Sequence, residues 1–124
     1  MSVKVDIDQL ADALGDFTFA YLITVGDDCR AHTVAVEPVF TDGVLDVGPM
    51  GRHTRDNVAQ HSDVTLIWPP TDAGGYTLIV DGTAKPEGDA LTVVPGRAVL
   101  HRRATAESPS TSPNCLHDCV PLEG

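Results

Sequence analysis

The spacing of apolar residues changes along this chain, from a helical period near the N-terminus to strand-like segments after residue 16. Between residues 5 and 15 the apolar positions lie near helical spacing and Gly15 is placed to end the segment, so we predict a short helix. A second short helix is predicted from Thr54 to about His61. Six segments rich in β-branched and aromatic residues predict strands, at residues 17–25, 31–40, 44–50, 64–68, 76–86 and 90–102.

The connections between the predicted strands are short. Residues 41–43, Thr-Asp-Gly, predict a hairpin turn, because Asp-Gly tolerates the positive φ angles that such turns need. Pro38 marks a bulge or an edge position, since proline cannot donate to a strand ladder. Short strands joined by tight turns favour a closed antiparallel barrel or a sandwich. We expect one domain over residues 1–104 and a tail rich in Ser, Thr and Pro over residues 105–124.

Composition limits the partners of the chain. Its formal net charge is −10, with 8 Lys and Arg against 18 Asp and Glu, which argues against a nucleic-acid partner. No apolar run approaches the ~20 residues that span a membrane. The N-terminal segment also lacks the basic and apolar regions of a signal peptide. We therefore expect a cytoplasmic protein that has no membrane partner.

Cationic side chains are gathered just before the second predicted helix, where Arg52, His53 and Arg55 fall within four residues. A helix N-terminus carries unpaired N–H donors and a partial positive charge, so it binds phosphate readily. Thr54 is placed either to cap this helix or to leave its N–H groups free for a ligand. The alternative is that the cluster is a solvated helix start, with Arg55 paired to a nearby aspartate, Asp56 or Asp63.

The order of these elements resembles a known family. The strand "YLITVG", the hairpin "AHTVAVEPVFTDGVLDVG", the basic loop, a short helix with Asn-Val and then "DVTLIWPP" are similar to the flavin-binding split barrels typified by pyridoxamine 5′-phosphate oxidase. The later segments "YTLIVDGTAKPEG" and "RAVLHRRA" resemble the closing strands of small members. The resemblance covers roughly residues 6–103. It implies a mainly β fold, a six-stranded antiparallel split barrel with short helices, that forms a homodimer.

The resemblance also implies a cofactor, FMN or in some branches the deazaflavin F420, at the subunit interface. A strand would lie along the cofactor ring system, and the loop and helix start would hold its phosphate. Where members typically have a lysine three residues before the Asn of the helix, this chain has a threonine. The implied cofactor residues are His32, Thr33, Val34 and Ala35 on the strand, and Pro49, Arg52, His53, Thr54, Arg55 and Asn57 in the loop and helix.

Three further side-chain groups leave alternatives open. Trp68, at the end of a predicted strand, either flanks the cofactor ring or packs in the core or against a dimer partner. In the tail, Cys115, His117 and Cys119 stand at alternate positions, which suits a zinc or copper site, a redox pair or plain packing. His32 is either a cofactor contact or a hydrogen-bonded structural residue of its strand.

The function implied is that of an oxidoreductase acting on an unidentified small molecule. The chain has no Ser nucleophile elbow, HExxH helix or P-loop, so hydrolase and NTPase activities have no support. Hydride chemistry needs few protein acids and bases, because the cofactor performs it. The alternatives are a non-enzymatic protein of the same fold that carries a cofactor or haem, and a domain that has lost its ligand.

Overall fold

The computed structural model describes residues 2–103. The fold of this part is mainly antiparallel β, a sheet curled into a split barrel with two short helices, as the sequence predicted. The elements are β1 (Ser2–Val5), a 3-10 turn (Ile7–Gln9), α1 (Leu10–Leu14), β2 (Ala20–Val25), β3 (Ala31–Val36), β4 (Val39–Thr41), β5 (Val44–Pro49), α2 (Arg52–Gln60), β6 (Asp63–Trp68), β7 (Thr77–Glu87) and β8 (Ala90–His101).

The strand order explains how the sheet curls. Along the sheet the order is β3-β2-β6-β7-β8-β5-β4, and β1 pairs with β8. The strands at the two ends of this order, β3 and β4, are consecutive in the chain and are separated only by Glu37 and Pro38. The backbone therefore crosses from one end of the sheet to the other at this dipeptide.

Two sequence predictions are corrected here. The single strand predicted over residues 31–40 is two strands, because β3 pairs with β2 whereas β4 pairs with β5, and Pro38 lies in the break between them. The strand β1 was missed, and its last residue, Val5, was assigned to a helix. A four-residue strand carries little pattern of its own, and its pairing with β8 overrides the local spacing. The described residues therefore contain eight strands rather than six.

The core lies inside the curled sheet and follows strand alternation. On β2 the inward residues are Ala20, Leu22 and Thr24, all buried. A bulge in β8 at Gly96 lets inward residues on both sides of it stay buried, since Asp81 pairs with Arg97 and Gly82 with Pro95. The two strands approach each other closely at the bulge. A Cβ added to Gly82 would lie only 2.5 Å from the carbonyl oxygen of Val94.

Short connections position the candidate site. The predicted hairpin turn between β4 and β5 is confirmed, with positive φ at both Asp42 (53°) and Gly43 (80°). Helix α2 follows β5 directly and packs against β2 and β7 with its buried residues Thr54, Asn57 and Val58. In the part of the chain that the structure describes, no helix is long and apolar enough to cross a membrane.

Candidate functional site

The helix predicted to follow the basic cluster begins two residues earlier than expected, at Arg52. Its N-cap is Gly51, in an extended conformation and without a side-chain capping bond. The interpretation of Thr54 as the cap is therefore wrong, because Thr54 is the third helical residue and only 2% exposed. The first helical hydrogen bond runs from the N–H of Arg55 to the Gly51 carbonyl at 3.1 Å. The N–H groups of the three residues before Arg55 have no helical acceptor, as at any helix start.

The basic side chains of this turn are exposed to solvent. The Nε of Arg52 lies 3.7 Å from a carboxylate oxygen of Asp56, and both side chains are more than two-thirds exposed. An ion pair of this kind contributes little stability and is easily exchanged for another anion. Arg55 is exposed and has no ion pair among residues 2–103, so the pairing with Asp56 or Asp63 that the alternative interpretation offered is not found there.

A ring contact joins this turn to the strand β3. The imidazole rings of His32 and His53 stack with centroids 4.0 Å apart and planes inclined by 23°. His32 is half-buried on β3 and His53 is exposed at the second position of α2. The structure therefore brings together the two segments, strand and helix start, that the resemblance assigned separately to a ring and to a phosphate.

The strand β3 offers a row of backbone groups at the end of the sheet. Within the described residues it pairs only with β2, so one edge carries unpaired N–H and C=O groups. Register places His32 opposite Thr24 and Val34 opposite Leu22, on the inward face. The predicted residues Thr33 and Ala35 point to the opposite, outer face and are exposed.

Three other predicted residues occupy different environments. The side-chain NH2 of Asn57 donates to Thr24 Oγ1 at 3.1 Å in a buried hydrogen bond, which ties α2 to β2. Trp68 is 3% exposed and belongs to the core, as its packing alternative proposed. Pro49 is exposed at the end of β5, beside the loop that leads to α2. As cofactor contacts these three residues stay predictions.

Sequence reasoning missed Thr24, the partner of Asn57. A signal was present, because Thr24 is the polar member of the inward row of β2, which is otherwise apolar. A buried hydroxyl in such a row needs a hydrogen-bond partner. The identity of that partner could not be read from the chain, since Asn57 lies 33 residues away.

Two grooves of the surface lie outside β3 and the first turn of α2. One of about 420 Å³ crosses the outer face of β2, β6, β7 and β8, and includes Ile23, Thr65, Asp81 and Arg97. A second, of about 260 Å³, runs beside the C-terminal half of α2 and includes Asn57. Of the residues proposed as cofactor contacts, Asn57 alone lines either of these two grooves.

The possible zinc or copper site in the tail cannot be compared with the structure. Cys115, His117 and Cys119 lie outside the described residues. Within residues 2–103 no group of three His, Cys, Asp or Glu side chains is placed to hold a metal ion.

The chain has relatives of nearly its own length. It is 52% identical to an uncharacterized protein of Mycobacterium bovis and equally to one of Mycobacterium tuberculosis, and each comparison covers 94% of both chains. The chain belongs to the family of these mycobacterial proteins. No protein-family model matches it.

Solved structures show the fold of this chain. An FAD-binding protein from Mesorhizobium loti matches with a TM-score of 0.65 at 10% identity, over 81% of this chain and 96% of the other. A Clostridium acetobutylicum protein of the pyridoxinephosphate oxidase family gives 0.51 at 12%, over 77% and 84%. A protein named F420 reductase gives 0.55 at 15%, over 69% and 91%. The fold is therefore the split barrel of the pyridoxamine 5′-phosphate oxidase-like proteins, as the sequence resemblance implied.

Proposed function

We propose that the protein binds a flavin-type cofactor, FMN or alternatively F420, and acts as an oxidoreductase on a small molecule. The observation that carries the proposal is the stacking of His32 on His53, with ring centroids 4.0 Å apart. This contact holds the open edge of β3 beside the basic first turn of α2. A ligand with a flat ring and a phosphate needs both kinds of surface next to each other.

The residues present fit a phosphate. Three helix N–H groups without helical acceptors and two exposed guanidinium groups, those of Arg52 and Arg55, are available within one turn. Thr54, at the position where members of the resembled family have lysine, is buried and neutral. We propose that Arg52 and Arg55 supply the missing charge, with a planar and bidentate geometry that lysine lacks.

The ring of the cofactor would lie along β3. The backbone edge of this strand offers N–H and C=O groups that can pair with the polar edge of a heterocycle, while His32 and Val34 border it from the inward face. When bound, a flavin or deazaflavin supplies hydride transfer. The chain orients the ring and anchors the phosphate. Among the structural neighbours, proteins named as FAD-binding and as F420 reductase support this class of ligand.

We further propose that a homodimer completes the site. Thr33, Ala35 and His53 are exposed on β3 and α2 of the single chain. A flat cofactor has to be covered on both faces to be held and shielded from water. Exposed apolar residues nearby, including Tyr21 at 39%, offer a face to a second copy. Light scattering of the cofactor-loaded protein at micromolar concentration should give twice the mass of the chain. A monomer under these conditions would refute the dimer.

The cofactor proposal is tested by the visible spectrum of the purified protein and by titration with FMN, F420 and haem. The expected result is a flavin or deazaflavin band, or saturable binding of one of these two cofactors. A haem band would favour the non-enzymatic alternative instead. Absence of binding by all three would overturn the proposal and favour a domain without a ligand.

A further inference from the structure

The loop that leads into α2 is shaped by an irregularity of β5. The pairing of β5 with β8 shifts register between Asp46 and Gly48, which leaves Val47 as an extra residue in β5. Gly48 has a φ of +79°, a left-handed conformation that a side chain rarely adopts. Bulges of this kind often lie beside functional sites, where they redirect the chain.

A side chain holds this irregular segment in place. One carboxylate oxygen of Asp46 accepts a hydrogen bond from the N–H of Gly48 at 2.9 Å. Two residues later the N–H of Met50 donates to the carbonyl of Asp89, in the turn between β7 and β8, at 2.9 Å. These two bonds fix the chain on both sides of Pro49, directly before the exposed first turn of α2.

We propose that Asp46 and Gly48 are positioning residues for the anion-binding turn, an inference that rests on the proposed function above. The bulge sets the direction in which the chain leaves β5, and therefore where the N–H groups of α2 point. Asp46 acts through the backbone of Gly48 and does not contact the anion. Its carboxylate repels an anion rather than attracting it, so the role depends on the hydrogen bond and not on the charge.

This role predicts a difference between two ligands that share a ring. FMN and riboflavin differ by the phosphate, so a misplaced turn should weaken the binding of FMN and leave the binding of riboflavin unchanged. We expect Asp46→Ala and Gly48→Ala to raise the Kd of FMN by roughly tenfold, the effect of losing one hydrogen bond between the phosphate and a misplaced N–H group of α2. Asp46→Asn keeps an acceptor for the Gly48 N–H and removes a charge that repels the anion, so its FMN affinity should equal or exceed that of the original protein.

The matched control is Gly43→Ala in the turn between β4 and β5. Gly43 has a φ of +80°, and a Cβ at either glycine would have no atom within 4 Å. Both substitutions therefore impose the same backbone strain with the same free space. Thermal unfolding of both variants should show similar losses of stability, and the FMN affinity should fall only for Gly48→Ala. Equal FMN affinities in the two variants, or equal weakening of riboflavin and FMN, would overturn the inference.

A second measurement separates this inference from the flavin proposal. Inorganic phosphate is titrated into the full chain while the backbone amide resonances of Arg52, His53 and Thr54 are followed by NMR. We expect shifts in the original protein and in Gly43→Ala, and much weaker ones in Gly48→Ala. If these shifts appear while no flavin binds, the cofactor proposal fails and the positioning role stands. If phosphate causes no shift at the three amides of the original protein, the positioning role is wrong.

Discussion

The buried hydrogen bond between Asn57 and Thr24 should be the main polar link between α2 and the sheet. Thr24 is 1% exposed and Asn57 6%, and their side-chain atoms are 3.1 Å apart. Thr24→Val removes the hydroxyl and keeps nearly the same shape. The NH2 group of Asn57 is then buried without its acceptor. Leaving a buried donor unsatisfied lowers the free energy of unfolding by about 1–3 kcal/mol, which is more than the hydrogen bond itself contributes on balance.

The test is a double-mutant cycle measured by urea unfolding. Thr24→Val and Asn57→Ala should each lower the free energy of unfolding, and the double variant should lose less than the sum of the two. We expect a coupling of about 1–2 kcal/mol, because the second substitution removes the group that the first left unsatisfied. If the loss in the double variant equals the sum of the two single losses within about 0.3 kcal/mol, the reasoning is refuted.

A control with the same substitution is available on the outer face of the sheet. The Thr65 hydroxyl donates to a carboxylate oxygen of Asp81 at 2.7 Å, in a contact exposed to solvent. Thr65→Val makes the same change of atoms, but water can replace the lost partner. The loss should therefore stay below about 1 kcal/mol. A loss as large as that of Thr24→Val would show that burial does not decide the cost.

Three further predictions concern the site, the barrel and the tail. Arg52→Ala should weaken binding of the cofactor by about 1–3 kcal/mol, whereas Arg103→Ala, which removes an equal charge after β8, should have no effect in the same titration. Gly82→Ala should lower the free energy of unfolding by about 1–3 kcal/mol or more, because the new Cβ would lie 2.5 Å from a backbone oxygen. Gly96→Ala is the control, since the nearest atom to its new Cβ is 3.7 Å away, and a loss of similar size there would contradict this reasoning. Truncation after Thr105 should lower the melting temperature or the cofactor affinity if the tail docks on the barrel, and unchanged values of both would exclude docking.

The sequence predicted the larger elements well, because each carries its own pattern. The strands β6, β7 and β8 lie within two residues of their predicted bounds, and the Asp42-Gly43 turn is where its backbone preference placed it. The errors fall where pairing across the sheet decides the structure. Residues 31–40 read as one strand, since the change of partner from β2 to β5 leaves only Pro38 as a trace.

The candidate site was predicted as two separate segments, and their contact was not predicted. His32 and His53 lie on different elements, and their stacking depends on how α2 packs over β2, which the Thr24–Asn57 bond helps to fix. No spacing along the chain encodes that arrangement. The resemblance implied both segments as cofactor contacts because it concerns the fold as a whole. It could not show that the Asn57 side chain is hydrogen-bonded within the protein.

The N-cap of α2 allows the phosphate role to be tested by improving the helix. Gly51 has φ −67° and ψ 167°, which any residue adopts, and a Cβ there would have no atom within 4 Å. Gly51→Ser should supply a capping oxygen to the N–H of His53 or Thr54 and stabilise the protein by a few tenths of a kcal/mol.

The same oxygen would occupy a donor that the phosphate needs, so the stability should rise while the affinity for FMN falls. Gly51→Ala adds bulk without an acceptor and serves as the control for the affinity measurement. Thermal unfolding and FMN titration of the three proteins decide the matter: if Gly51→Ser stabilises the helix and binds FMN as tightly as Gly51→Ala does, the helix N–H groups do not hold the phosphate.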